Sequence, residues 1–199
     1  MAASFAIADG NPDVHMSDWI WCKRSLAGPG GWTSNDDAPP GAFEEVFFRE
    51  DNWVWVKVYQ SGTVDAGQTV GLYLYAGIDS REYTSDQIRQ LINQFDPEDL
   101  WSTSAFEAQF STGNVCRIPW FNGIGTEDFC PISTPAQQPG DMDSRWYLFK
   151  LERHLIPPPT ACTTWRIALM AHIDDSAHTP ADPSVAGDAG FSQRNCVVV

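Results

Sequence analysis

The residue pattern points to an all-β chain, folded as an antiparallel β-sandwich with a small helical insertion. Three runs alternate with a period of two, which puts every second side chain on one face of a strand. Clusters of turn-forming residues separate them, and only one stretch carries helical spacing. Strands and helices do not alternate along the chain as a parallel sheet requires. The 199 residues are 43% hydrophobic and 13% aromatic with 19% charged, a composition that excludes a disordered or coiled-coil chain and suits one domain over 1–199.

In chain order, a strand is expected at 14–21, followed by a long surface loop over 23–42 that is dense in Gly, Pro, Ser, Asn and Asp. At 53–59, WVWVKVY sets Val54, Val56 and Val58 on one face and Trp53, Trp55, Lys57 and Tyr59 on the other. A turn-rich connection, SGTVDAGQ, leads to 69–76, where Val70, Leu72, Leu74 and Ala76 share a face and Tyr73 and Tyr75 point oppositely. These two strands are expected to be neighbours. An insertion over 78–115 follows. Within it Ile88, Leu91, Ile92 and Phe95 recur at helical spacing, Thr84 and Gln87 form a capping box, Tyr83 and Ile88 a hydrophobic staple, and Asp96-Pro97 a stop. A second short helix fits 97–110. A loop over 131–144, a strand at 145–152, a turn shaped by the prolines of 157–159 and strands at 164–173 and 191–199 complete the chain. The expected core includes Val54, Val56, Val58, Leu72, Leu74, Trp165, Ile167 and Leu169.

Charge narrows the function. Twenty-six acidic residues against 12 basic ones leave −14, with the cations scattered, so neither nucleic acid nor an anionic membrane surface is an expected partner. No apolar run approaches the roughly 20 residues of a membrane span, and the first residues lack the basic flank of a secretion leader. Five cysteines form no C-x-x-C pair; buried free thiols are the expected state, with a Cys116–Cys130 bridge as the alternative. No nucleophile elbow, zinc-protease helix or nucleotide loop is present, and the GPGG at 28–31 lacks the Lys-Ser/Thr and helix of a phosphate cradle. The carboxylate pairs Asp36-Asp37 and Glu44-Glu45 are adjacent, so on a strand they face opposite ways and are expected to be solvated.

Two constellations remain. Trp53, Trp55, Tyr59, Tyr73 and Tyr75 make one face too aromatic for plain exposure. Covered by the helix of the insertion, it is a second small core, the expected arrangement; left open, it is a ligand-binding platform for sugar faces or a partner protein. His172, Asp174, Asp175, His178 and Asp182 gather in eleven residues and suit zinc or another transition ion, although a solvated loop is the expected state. Asp9, Asn11 and Asp13 alternate as in a calcium loop but lack its glycine and glutamate. No cofactor is otherwise expected.

NPDVHMSDW near the start, GLYLYAG, the W-x-x-x-I-G-T element from Trp120 to Thr126, WRIALMAHIDD and the closing FSQRNCVVV occur in an order that resembles the CARDB-like immunoglobulin-fold modules of bacteria. The resemblance covers about 90 residues in patches, Phe191 to Cys196 standing at the family's final phrase. The chain departs from it in the long region 78–145 and in Cys196, where valine is usual. The resemblance implies an immunoglobulin-like sandwich and an adhesion or positioning unit at the cell exterior or in an assembly. The first expectation is therefore a non-catalytic binding or adhesion module for a glycan or protein partner. A structural subunit of a filament, tail or shell, which self-associates, is the alternative, and a metal-dependent hydrolase the third.

Overall fold

The computed structural model describes residues 4–7, 17–26, 41–61, 70–83, 115–132, 142–156, 164–174 and 190–199. Eleven strands run through them: β1 Ser4–Ala6, β2 Ile20–Lys23, β3 Asn52–Ser61, β4 Val70–Tyr83, β5 Val115–Ile118, β6 Trp120–Phe121, β7 Thr126–Glu127, β8 Cys130–Ile132, β9 Met142–Leu151, β10 Thr164–Asp174 and β11 Phe191–Val198. The only helical element among the described residues is a single 3-10 turn at Arg153–Leu155.

The strands form two antiparallel sheets. In sheet one the order is β1-β3-β9-β6-β7, and β2 lies beside β1 along the same edge of β3. In sheet two it is β11-β10-β4-β5, with β8 sharing the edge of β4 that β5 uses. The longest ladder of sheet one pairs β3 with β9 from Asn52↔Leu151 to Ser61↔Met142. The alternation of 53–59 thus has its physical meaning: Val54, Val56 and Val58 enter one apolar cluster with Phe149, Leu151, Leu72, Leu74, Ile167, Leu169 and Val198, which belong to both sheets. Fully burying each such side chain contributes about 1.5–3 kcal/mol.

The chain crosses between sheets at sharp points. Pro119, which has no N–H to continue a ladder, separates β5 in sheet two from β6 in sheet one, and its carbonyl accepts the Lys150 N–H at 2.9 Å. On the opposite flank, the segment around Glu44 to Phe48 ties the sheets together. The Glu44 N–H donates to the Cys22 carbonyl at 2.9 Å, the Val46 N–H to Val197 at 3.1 Å and the Val199 N–H to Val46 at 2.8 Å. Asn52, fully buried, accepts from the Phe47 N–H at 2.8 Å and donates to the carbonyls of Phe47 and Glu50, so it shapes the turn into β3. Beneath this strap, the inward-facing Arg194 of β11 donates to the carbonyls of Ser17 at 2.9 Å and Ile20 at 3.3 Å and lies 3.6 Å from the Phe43 ring centroid. A buried cation tolerates this place because carbonyls and a ring face meet it.

Several expectations are corrected. The strands 53–59 and 69–76 are not neighbours: β3 is flanked by β9 and by β1 and β2, β4 by β10 and by β5 and β8, and the link between them changes sheet. Of the first expected strand, 14–21, residues 14–16 lie outside the described residues, and 17–19 form a turn in which the Ser17 hydroxyl accepts the Trp19 N–H at 3.1 Å, so that β2 opens at Ile20. Ile78–Tyr83, assigned to the insertion, continues β4, since β10 pairs with it as far as Thr164↔Tyr83. At the other end of that range, Val115 opens β5. The loop read at 131–144 contains Pro131 and Ile132 of β8 and the start of β9, and Lys23, at the edge of the 23–42 loop, belongs to β2. Glu45 is engaged rather than solvated, accepting from the Val197 N–H at 2.8 Å, whereas Glu44, its side chain 41% exposed, keeps its contact with solvent while accepting from the Arg24 N–H at 2.7 Å. The helix of Thr84, Gln87, Ile88, Leu91, Ile92 and Phe95, the one at 97–110, GPGG at 28–31, Asp36-Asp37 and the prolines of 157–159 lie outside the described residues, as does the side chain of Trp165.

Candidate ligand-binding face

With the valines of β3 turned inward, Trp53, Trp55, Lys57 and Tyr59 stand on the outer face of sheet one. Opposite them on β9 are Lys150, Leu148, Trp146 and Ser144. Trp55, 1% exposed, and Leu148 form a buried centre to this face. The half-buried residues lie on either side of it.

At one end, the Lys57 ammonium lies 5.4 Å from the centroid of Trp19, 5.3 Å from that of Tyr59 and 5.7 Å from that of Trp146. Trp19 is held there by its carbonyl, which accepts the Lys57 N–H at 2.8 Å, and its ring packs 4.3 Å from Tyr59 at 33°. At the other end Trp53 meets Phe121 edge-on at 5.2 Å, with the Lys150 ammonium 5.9 Å from the Trp53 ring. Lys23 of β2 stands opposite Trp53. All three lysines of the chain therefore occupy this face of an acidic protein.

Their partners differ. Lys23 meets Glu44 at 3.2 Å, and Lys150 meets Asp51 at 3.0 Å and Glu152 at 3.5 Å. The Asp51 contact, then the nearby carboxylate charges, hold the Lys150 ammonium above its ordinary range, against a burial effect that pulls it down. Burial alone would raise Asp51, but hydrogen bonds from the Arg153 N–H and from Lys150 hold it below the usual carboxylate value. Among the described residues, no carboxylate comes within ion-pair distance of Lys57.

The outer face of sheet two carries a smaller group. Tyr73 stacks with Phe129 at 5.3 Å, with Tyr75 at 6.3 Å and with His172 at 6.5 Å, and the exposed Arg117 guanidinium lies 5.3 Å from the Tyr73 ring. Gly71 makes room for the stack, because a Cβ there would come within 2.8 Å of the Tyr73 ring and 3.1 Å of Phe129. Tyr75, His172, Met170 and Ala168 are buried.

The five aromatic residues singled out in the sequence do not form one platform. Trp53, Trp55 and Tyr59 belong to sheet one, Tyr73 and Tyr75 to sheet two, on faces that point away from the common core on opposite sides. Trp55 and Tyr75 are buried, so their rings support the faces without being available for stacking. Of the metal constellation, His172 lies on the outer face of β10 against Tyr73, and Asp174 ends β10 opposite Gly71. Asp175, His178 and Asp182, like Asp9, Asn11 and Asp13, lie outside the described residues, among which no three potential metal-binding side chains gather.

The four cysteines among the described residues, Cys22, Cys116, Cys130 and Cys196, are free, and Cys162 lies outside them. Cys116 pairs with Ala76 and Cys130 with Leu72, about 13 Å apart along β4 and beyond the roughly 7 Å that a disulfide spans. Burial pushes Cys116 up to about 11 and raises Cys22, Cys130 and Cys196 further, so none of these four is poised as a thiolate nucleophile.

Sequence reasoning placed Lys57 beside Trp53 and Tyr59 but missed Trp19 and Trp146 as its companions. The run around Trp146 carried a signal, since Arg145-Trp146-Tyr147-Leu148 opens an expected strand; its register against β3 did not. Comparison with protein-family models, with curated proteins and with solved structures gave no match.

Proposed function

We propose that this chain is a non-catalytic binding module of immunoglobulin-like topology that recognises a glycan or protein partner through the outer face of sheet one. The observation that carries the proposal is the group of half-buried Trp19, Tyr59 and Trp146 around Lys57. Rigid amphipathic rings offer large contact area at low entropy cost, and here they lie beside a cation that has no carboxylate partner among the described residues. The immunoglobulin-like, CARDB-like part of the reading draws support from strand order: β2-β3-β9-β6 facing β11-β10-β4-β5 corresponds to A-B-E-D facing G-F-C-C′.

Binding of the whole chain to a panel of glycans and immobilised proteins tests the proposal, with Trp146→Ala and Tyr73→Ala as paired variants. Trp146→Ala should lose the bound ligand and Tyr73→Ala keep it; equal retention by both contradicts the assignment of the face.

One observation favours a second reading, a subunit of an assembly. Ile124 is 97% exposed at the tip of the β6–β7 hairpin, on a turn held by the Asn122 side chain, which accepts the N–H groups of Ile124 and Gly125 at 2.9 Å each. Gly123, at φ 96°, supplies the left-handed residue that this turn requires. An apolar tip held in a fixed turn beside the two-residue edge strand β7 suits contact with another subunit.

A further inference from the structure

We propose that the ligand of the sheet-one face is an acidic polysaccharide whose uronic-acid residue sets its carboxylate against the Lys57 ammonium while its pyranose ring stacks on Trp146 or Tyr59. This inference rests on the binding-module reading and adds the chemistry of the ligand. Its first support is the contrast among the three lysines. Lys23 and Lys150 are neutralised by Glu44, Asp51 and Glu152, whereas the contacts of Lys57 among the described residues are with aromatic faces. A cation–π contact leaves the ammonium N–H donors without the strong acceptor that a carboxylate supplies.

Geometry gives the second support. The packed pair Trp19–Tyr59 and the ring of Trp146 stand 5.3–5.7 Å from the ammonium, so an acid group approaching Lys57 lies next to a flat apolar surface. A uronic acid carries its carboxylate on the edge of a rigid ring whose C–H face suits such a surface, so one sugar residue satisfies both contacts. A protein carboxylate sits on a flexible stem and brings no such face. The charge of −14 opposes anionic ligands at long range, but the neighbouring carboxylates Glu44, Asp51 and Glu152 are already tied to cations. Screening shortens the reach of the rest to about 8 Å at physiological salt.

Titration calorimetry of the whole chain tests the inference. The probes are oligosaccharides of galacturonate, of mannuronate and guluronate, and of glucuronate-containing type, their methyl esters, a neutral glucose oligosaccharide and a polyglutamate peptide. At least one uronate should bind, weaken as salt rises, and lose about tenfold or more in affinity on esterification or in Lys57→Met, as expected for loss of a charge-assisted hydrogen bond. Lys57→Arg should retain most of the affinity. If Lys57→Met fails to fold, the acid and ester comparison on the unaltered chain still decides. Esters or neutral sugar binding as tightly as the acids, with Lys57→Met unchanged, overturns the acidic ligand and leaves the binding module standing. Polyglutamate binding as tightly as any uronate, or no uronate binding at all, also overturns it.

Discussion

At the scale of single residues, the outer face of sheet one divides into support and contact. Trp55 is enclosed, and Trp55→Ala should cost about 3–5 kcal/mol in chemical denaturation, the loss of a buried aromatic plus its cavity. Trp53→Ala, removing a half-buried ring, should cost clearly less, and equal losses would contradict the division. Glu45 offers a pH test. Burial raises its carboxyl above the ordinary 4.5, against the Val197 N–H and Arg194, which pull it down. The folded chain then holds a proton that the unfolded chain has released, so this contribution is full below 4.5 and is lost as pH rises through the raised value. Glu45→Gln should flatten the dependence of the denaturation midpoint on pH just above 4.5. Glu44 has the opposite sign: the Arg24 N–H, then Lys23, lower it, and its contribution is lost as pH falls through the lowered value. These two adjacent carboxylates were legible in the sequence only as a pair. What separates them is the strap between β2 and β11, which sets Glu45 beside the Val197 N–H and leaves Glu44 at the edge.

At the scale of elements, the alternating runs were readable because period two is local: each residue of 53–59 declares its face without reference to any partner. Pairing is not local. Nothing in 53–59 or 69–76 says that β3 pairs with a strand about 90 residues later, and a turn-rich link between two strands reads equally as a hairpin or as a crossing between sheets. The candidate face was therefore half visible, as Trp53, Lys57 and Tyr59, while Trp146 and Trp19 join it only through β9 and the turn before β2. The β6–β7 hairpin makes its own prediction. Ile124→Asp should leave the denaturation midpoint within about 0.5 kcal/mol, as at ordinary surface positions. If the hairpin tip holds subunits together, light scattering across concentration will show association in the unaltered chain and its loss in Ile124→Asp; association unchanged by the substitution removes the tip from any interface.

At the scale of the whole molecule, two antiparallel sheets close over one core and present two aromatic faces outward, one built on tryptophan and lysine, the other on tyrosine, Phe129 and Arg117. The sequence carried the all-β class, the core residues of β3 and β4 with Ile167 and Leu169 of β10, and the surplus of tryptophan, but it merged the two faces into one. In the proposed function, ligand meets the first face. The most direct measurement follows the indole N–H resonances of the nine tryptophans during addition of the ligand that binds in the panel. Trp19 and Trp146 should shift most, Trp53 less, and the buried Trp55 should stay in place. Shifts centred on the backbone amides of Tyr73 and Arg117, with Trp19 and Trp146 unmoved, would contradict it.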